Sequence, residues 1–212
     1  MVSGRGKSIA MFVLSFTLFS CSNYSILSEF SLVNPTPGLK LTLSGSSVPN
    51  GSTLTLYPSG GTTPYSYAIA ASSLYYSGTL GTISGDQFTA GTSIGSVNIY
   101  LSDSTGATVA STITIVPPTP TNFTAAGTSP SPAKIGLSWN YPTGTPVTSF
   151  NIMRSTGGAA FSQVGTVPAT GVTSYNYPDS GGLNKNSIYI YYVVAVAGSY
   201  QSNSSVQQSA QP

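Results

Sequence analysis

The sequence predicts an all-β protein built as two antiparallel β-sandwiches in tandem, and three observations carry that prediction. Apolar residues recur with a period of two, as in Leu39, Leu41 and Leu43, in Val97, Ile99 and Leu101, and in Ile135, Leu137 and Trp139. That is the period of a strand with one buried face. Clusters such as Pro49-Asn50-Gly51, Gly60-Gly61, Ser84-Gly85-Asp86 and Ser104-Thr105-Gly106 punctuate those runs and supply the positive φ and Asx geometry that hairpins use. The composition holds 14 Tyr and 8 Phe with only 5% charged residues, too aromatic and too poorly charged for a disordered chain.

The first element is an address, residues 1–20. Arg5 and Lys7 form a positive leading region, and the eleven residues from Ile9 to Phe19 form an apolar stretch. A bilayer span needs about 20 apolar residues, so the pattern fits a secretory signal peptide better than a membrane helix. The stretch closes in Leu18-Phe19-Ser20-Cys21, which resembles a bacterial lipobox: Leu stands three residues before the Cys and a small residue immediately before it. Phe19 departs from the small or aliphatic residue usual at its position. The resemblance implies cleavage before Cys21 and acylation of its sulfur with diacylglycerol. Cys21 is also the only cysteine, so no internal disulfide can form. Ser22 and Asn23 follow rather than Asp, which by resemblance to lipoprotein sorting implies an outer-membrane lipoprotein, periplasmic or surface-exposed.

Residues 21–37 are polar and end in a proline-rich run, Asn34-Pro35-Thr36-Pro37, followed by Gly38, and are expected to act as a tether. With residues 1–20 removed, Lys40, Lys134, Arg154 and Lys185 stand against Glu29, Asp86, Asp103 and Asp179, and the side-chain charges cancel. Nucleic acid, which needs a clustered basic face, is not an expected partner.

Residues 38–116 form the first predicted sandwich. Besides the alternating runs, Ser59-Gly60-Gly61-Thr62-Thr63-Pro64-Tyr65-Ser66-Tyr67, Gly81-Thr82-Ile83 and Gly95-Ser96-Val97-Asn98-Ile99-Tyr100-Leu101-Ser102-Asp103-Ser104-Thr105-Gly106 resemble the bacterial Ig-like repeats of surface proteins. Val116-Pro117-Pro118-Thr119-Pro120 breaks the pattern, because consecutive prolines cannot donate to a ladder, and such a joint should be stiff. Residues 117–212 form the second. Trp139 on the second strand, the run Tyr189, Tyr191, Val193 and Ala195, and Leu183 with Tyr189 resemble a fibronectin type III domain. The resemblance implies a buried Trp139 and a tyrosine corner at Leu183 and Tyr189, in which the phenol bonds a nearby backbone group.

Catalytic chemistry has little to work with. The sequence has no His, which excludes Ser-His-Asp and Cys-His catalysis and His-ligated zinc. Asp86, Asp103 and Asp179 each neighbour Gly, Ser or Pro and read as turn caps. The expectation is a non-enzyme without metal or cofactor.

The candidate binding groups are Tyr75 and Tyr76, which as neighbours on a strand should point to opposite faces, and exposed tyrosines offer broad contact area for protein or sugar. The expected function is a lipid-anchored cell-envelope module, adhesive or spacing, held to the membrane through its lipid and contacting another envelope protein or a glycan. A polysaccharide-binding accessory and a structural subunit of an envelope assembly are the alternatives.

Overall fold

The computed structural model describes residues 37–212, and every regular element among them is a β-strand. Eight strands come first: β1 (Lys40–Leu43), β2 (Ser47–Pro49), β3 (Thr53–Ser59), β4 (Ser66–Tyr76), β5 (Gly81–Ser84), β6 (Gln87–Ala90), β7 (Ile94–Ser102) and β8 (Thr108–Val116). They form two four-stranded sheets, β1-β3-β6-β5 and β2-β8-β7-β4. Between the sheets lies a core that includes Leu54, Leu56, Phe88, Ile99 and Ile113. The alternation is clearest in β7, whose Val97, Ile99 and Leu101 point inward and are fully buried. Full burial of each such side chain contributes about 1.5–3 kcal/mol, so truncating Ile99 to Ala would cost about 2–5 kcal/mol.

One pairing departs from the antiparallel scheme: β2 runs parallel to β8. The reason is local. The chain leaves β1, which pairs with β3, bends through Ser44, Gly45 and Ser46, and continues as β2 in the opposite sheet without reversing direction. The crossing is fastened on both sides, with the Ser44 N–H donating to the Thr55 carbonyl at 3.0 Å and the Thr114 N–H to the Ser46 carbonyl at 3.0 Å.

Residues 117–120 carry no regular structure and lead into the second set of strands: β9 (Thr121–Pro130), β10 (Ala133–Asn140), β11 (Ser149–Thr156), β12 (Ser162–Pro168), β13 (Ser174–Asp179), β14 (Tyr189–Ala197), β15 (Tyr200–Gln201) and β16 (Gln208–Ala210). A three-stranded sheet, β13-β10-β9, faces a sheet in which β12, β11 and β14 are consecutive and both β15 and β16 pair with β14. The core between them is aromatic. Trp139 stacks on Tyr175 at 5.9 Å between centroids and meets the edge of Phe150 at 5.4 Å. Such pairs add about 0.5–1.5 kcal/mol each beyond the area they bury. The two cores share no residue.

Candidate functional site

The lipobox residues Leu18, Phe19 and Ser20 and the acylation candidate Cys21 lie outside the described residues. Three predicted markers of the second sandwich lie within them. Trp139 is 1% exposed on β10, and Tyr189 is 3% exposed at the start of β14. Leu183 is half-buried and packs against the same core. The Asn184 N–H donates to Tyr189 Oη at 2.7 Å, closing the corner from the backbone side.

The candidate aromatics Tyr75 and Tyr76 occupy the end of β4, where the regular alternation of the strand is broken. Both are exposed, at 47% and 42%. The cause is a bulge: β4 pairs Leu74 with Gly95 and Tyr76 with Ile94, leaving Tyr75 as an extra residue. A second irregularity falls between Ala71 and Ser73. Gly95, at φ +136°, permits the close approach, because a Cβ there would sit 2.4 Å from the Ser73 carbonyl oxygen.

The bulge aims Tyr75 at the second sandwich. Its ring lies against Gly198, in the turn between β14 and β15, and 6.5 Å from the Tyr200 ring, tilted by 50°. Gly198 has φ +59°, and a Cβ on it would stand 2.6 Å from Tyr75 Cε2. Glycine is therefore required twice, for the left-handed turn and for the ring that covers it. Tyr75 serves the junction between the sandwiches, and Tyr76 is the freer of the two. The analogous neighbours on β14 divide differently: Tyr191 is fully buried, and Tyr192 packs on Phe161 at 4.6 Å.

An open cleft of about 450 Å³ lies at one edge of the first sandwich, lined by Tyr65, Ser66, Tyr67, Ile83, Gly85 and Asp86. The start of β4 forms one wall and the β5–β6 turn the other. Tyr67 Oη donates to Asp86 Oδ1 at 2.7 Å, and Tyr65 Oη donates to the Gly60 carbonyl. Burial, reinforced by the Asp86 carboxylate, raises the Tyr67 phenol well above its ordinary value, so it remains a neutral donor. The cleft thus presents phenol faces and one carboxylate with no cationic side chain in its lining, a surface suited to neutral hydroxyl-rich ligands.

Two carboxylates do more than cap turns. Asp103 does cap its own, accepting from Thr105 N, Thr105 Oγ1 and Ala107 N through Oδ1. Its Oδ2 also accepts from Thr62 N at 2.9 Å, which ties the β7–β8 turn to the β3–β4 connection. The bond from Thr105, followed by that from Thr62, lowers its carboxyl below the usual range. Asp179, itself 2% exposed, takes the Gly181 N–H of its turn, and its Oδ2 also receives Arg154 Nη1 at 2.8 Å and Tyr191 Oη at 2.9 Å. Arg154 lies 5.3 Å over the Tyr189 ring as well. The local Pro178-Asp179-Ser180-Gly181 string announces the turn and conceals the ion pair, because Arg154 is 25 residues away in sequence. Among the described residues, no three His, Cys, Asp or Glu side chains gather closely enough to hold a metal ion, and no helix is long and apolar enough to cross a membrane.

The sequence matches no protein-family model and no curated protein. Among solved structures, it is similar to a two-domain fibronectin type III segment of chicken tenascin, at 14% identity over 82% of this chain and 98% of that one, with a TM-score of 0.49. It is also similar to a fibronectin type III-like protein from Clostridium thermocellum, at 30% identity over 43% of this chain and 88% of that one, with a TM-score of 0.34.

Proposed function

We propose that the chain is a non-catalytic, lipid-anchored module of the cell envelope, in which a bacterial Ig-like sandwich followed by a fibronectin type III sandwich spaces or adheres through protein–protein contacts. The carrying observation is the junction: two separately cored sandwiches follow one another through a four-residue proline-rich connection, and an aromatic side chain of the first rests on a glycine turn of the second. Such a junction suits a part that transmits position rather than one that turns over a substrate. The Leu18-Phe19-Ser20-Cys21 sequence supports the anchor, since the two acyl chains of a diacylglycerol joined to the sulfur as a thioether contribute about 0.8 kcal/mol per buried CH2 and hold a protein on a bilayer. The outer membrane is the proposed location, and another envelope protein the proposed partner.

Metabolic labelling with a clickable fatty acid tests the anchor. The expected result is label on the parent chain and none on Cys21→Ala. An unlabelled parent, or equal label on both, rejects it. Cross-linking of intact cells followed by membrane extraction tests the contact role, with recovery of an envelope protein expected and recovery of an uncomplexed cytosolic chain contradicting it.

A second reading, a polysaccharide-binding accessory, draws on the Tyr65, Tyr67 and Asp86 cleft. A glycan array separates the two: binding to neutral glycans that Tyr67→Ala abolishes favours this second reading, and an array without signal rejects it.

A further inference from the structure

The strand edges of the two sandwiches are unequally protected. A strand at the end of a sheet exposes a row of unpaired N–H and C=O groups, and proteins blunt such edges with charge, Pro, Gly-induced irregularity or brevity. The terminal strands carry such devices with one exception, in which two bulges interrupt only the second half of the strand and leave its first six residues without any. β1 has Lys40, β2 has Pro49, β5 has Gly81, β9 has Pro130, β12 has Pro168 and β13 has Pro178, while β15 and β16 are two and three residues long. The exception is β4, the longest of the terminal strands at 11 residues. Its sequence, Ser66-Tyr67-Ala68-Ile69-Ala70-Ala71-Ser72-Ser73-Leu74-Tyr75-Tyr76, has no charge, Pro or Gly. It pairs only with β7, no residue of it is fully buried, and among the described residues its other side has no backbone partner.

We propose that the β4 edge is a docking surface for a second copy of this chain, joined by antiparallel β4–β4 pairing into one continuous eight-stranded sheet. The two bulges twist the last part of the strand and commit Tyr75 to the second sandwich, so the flat stretch is Ser66–Ala71, where the β4–β7 register is unbroken. A two-fold axis perpendicular to the sheet keeps each face on its own side, which requires opposed residues of like parity. Centred on Ile69, that pairing sets Tyr67 opposite Ala71 and Ala68 opposite Ala70. Each aromatic ring meets a methyl group, and only small side chains oppose one another on the outer face. Tyr67 and Ile69, both half-buried, belong to the layer packed against the first core, so the pairing extends that core across the joint. The copy is favoured over a foreign strand because residues Ser66–Ala71 carry no charge of their own and are sterically matched to themselves in this register. The proposal does not depend on the lipid anchor or on an envelope location.

Sedimentation of the full-length protein in density-matched detergent tests it, with three charge insertions compared against the parent. Ala68→Lys and Ala70→Lys each place two like charges near the two-fold axis, and Ser162→Lys places the same charge on the β12 edge. The expected result is a parent dimer, a dissociation constant raised about tenfold or more by Ala68→Lys or Ala70→Lys, and no change for Ser162→Lys. Circular dichroism and the thermal midpoint identify any variant that fails to fold, and the other β4 variant then decides. A parent that stays monomeric at about millimolar concentration overturns the proposal. So does a dimer that a folded β4 variant leaves intact, or one that Ser162→Lys dissociates equally.

Discussion

Tyr191 Oη and Arg154 Nη1 converge on the same oxygen of Asp179, at 2.9 and 2.8 Å, inside the second sandwich. The three groups come from β11, β13 and β14, which belong to both sheets, so the carboxylate is a polar tie across the sandwich.

Asp179→Ala removes that tie and leaves the Arg154 guanidinium, 19% exposed, without its counter-charge. Breaking a mostly buried pair from one side costs about 3 kcal/mol. Trp139 is the only tryptophan and lies in this core, so its fluorescence in a urea titration reads the loss for the second sandwich alone.

The same tie sets the alkaline limit. Burial first, and then the bond to Asp179, raise the Tyr191 phenol above its ordinary value of 10.0, and burial pushes Tyr141 up to about 12. A group whose folded pKa is raised contributes stability that is complete below its unfolded value and is lost as pH rises through the folded one. The second sandwich should therefore keep full stability to about pH 10 and lose it progressively above. Tyr191→Phe should flatten that decline, although it lowers stability at neutral pH by about 1–2 kcal/mol through the lost hydrogen bond. Urea midpoints across the alkaline range check both.

Asp103 sets an opposite limit in the first sandwich. Its carboxyl is lowered by the bonds from Thr105 and Thr62, so its contribution is present above the unfolded value of 3.8 and is lost as pH falls through the folded one. Asp103→Asn should lower the thermal midpoint at pH 7 and remove part of the acid-limb decline. Scanning calorimetry in acidic and neutral buffers measures that difference.

Gly198→Ala should loosen the junction without unfolding either sandwich. The new Cβ strains a left-handed residue and displaces the Tyr75 ring. The strain costs about 1 kcal/mol. The readable outcome is faster limited proteolysis within residues 117–120, reproduced by Tyr75→Ala, which leaves the Gly198 backbone unstrained. Unchanged cleavage in both variants rejects a role for this contact in holding the joint.

Much of the architecture could be read locally. The alternation of Val97, Ile99 and Leu101 and of Tyr189, Tyr191 and Val193 identifies strands and their inward faces, because strand geometry sends successive side chains to opposite sides wherever the strand is regular. Tyr75 and Tyr76 show where that rule stops. A bulge is defined by the partner strand, and nothing within β4 signals that Gly95 would admit it.

The amino-acid order alone determined the strand-rich class, the turns, the proline break after Val116 and the scarcity of catalytic groups, since each follows from short-range geometry or from residue type. Only tertiary structure decided that Asp179 would hold Arg154, that Tyr75 would meet Gly198, that β2 would run parallel to β8 and that β4 would end its sheet with no further strand beside it among the described residues. Each depends on which distant segments become neighbours, and that follows from how two sheets share one buried layer, a property of the packed whole that no local window of residues contains.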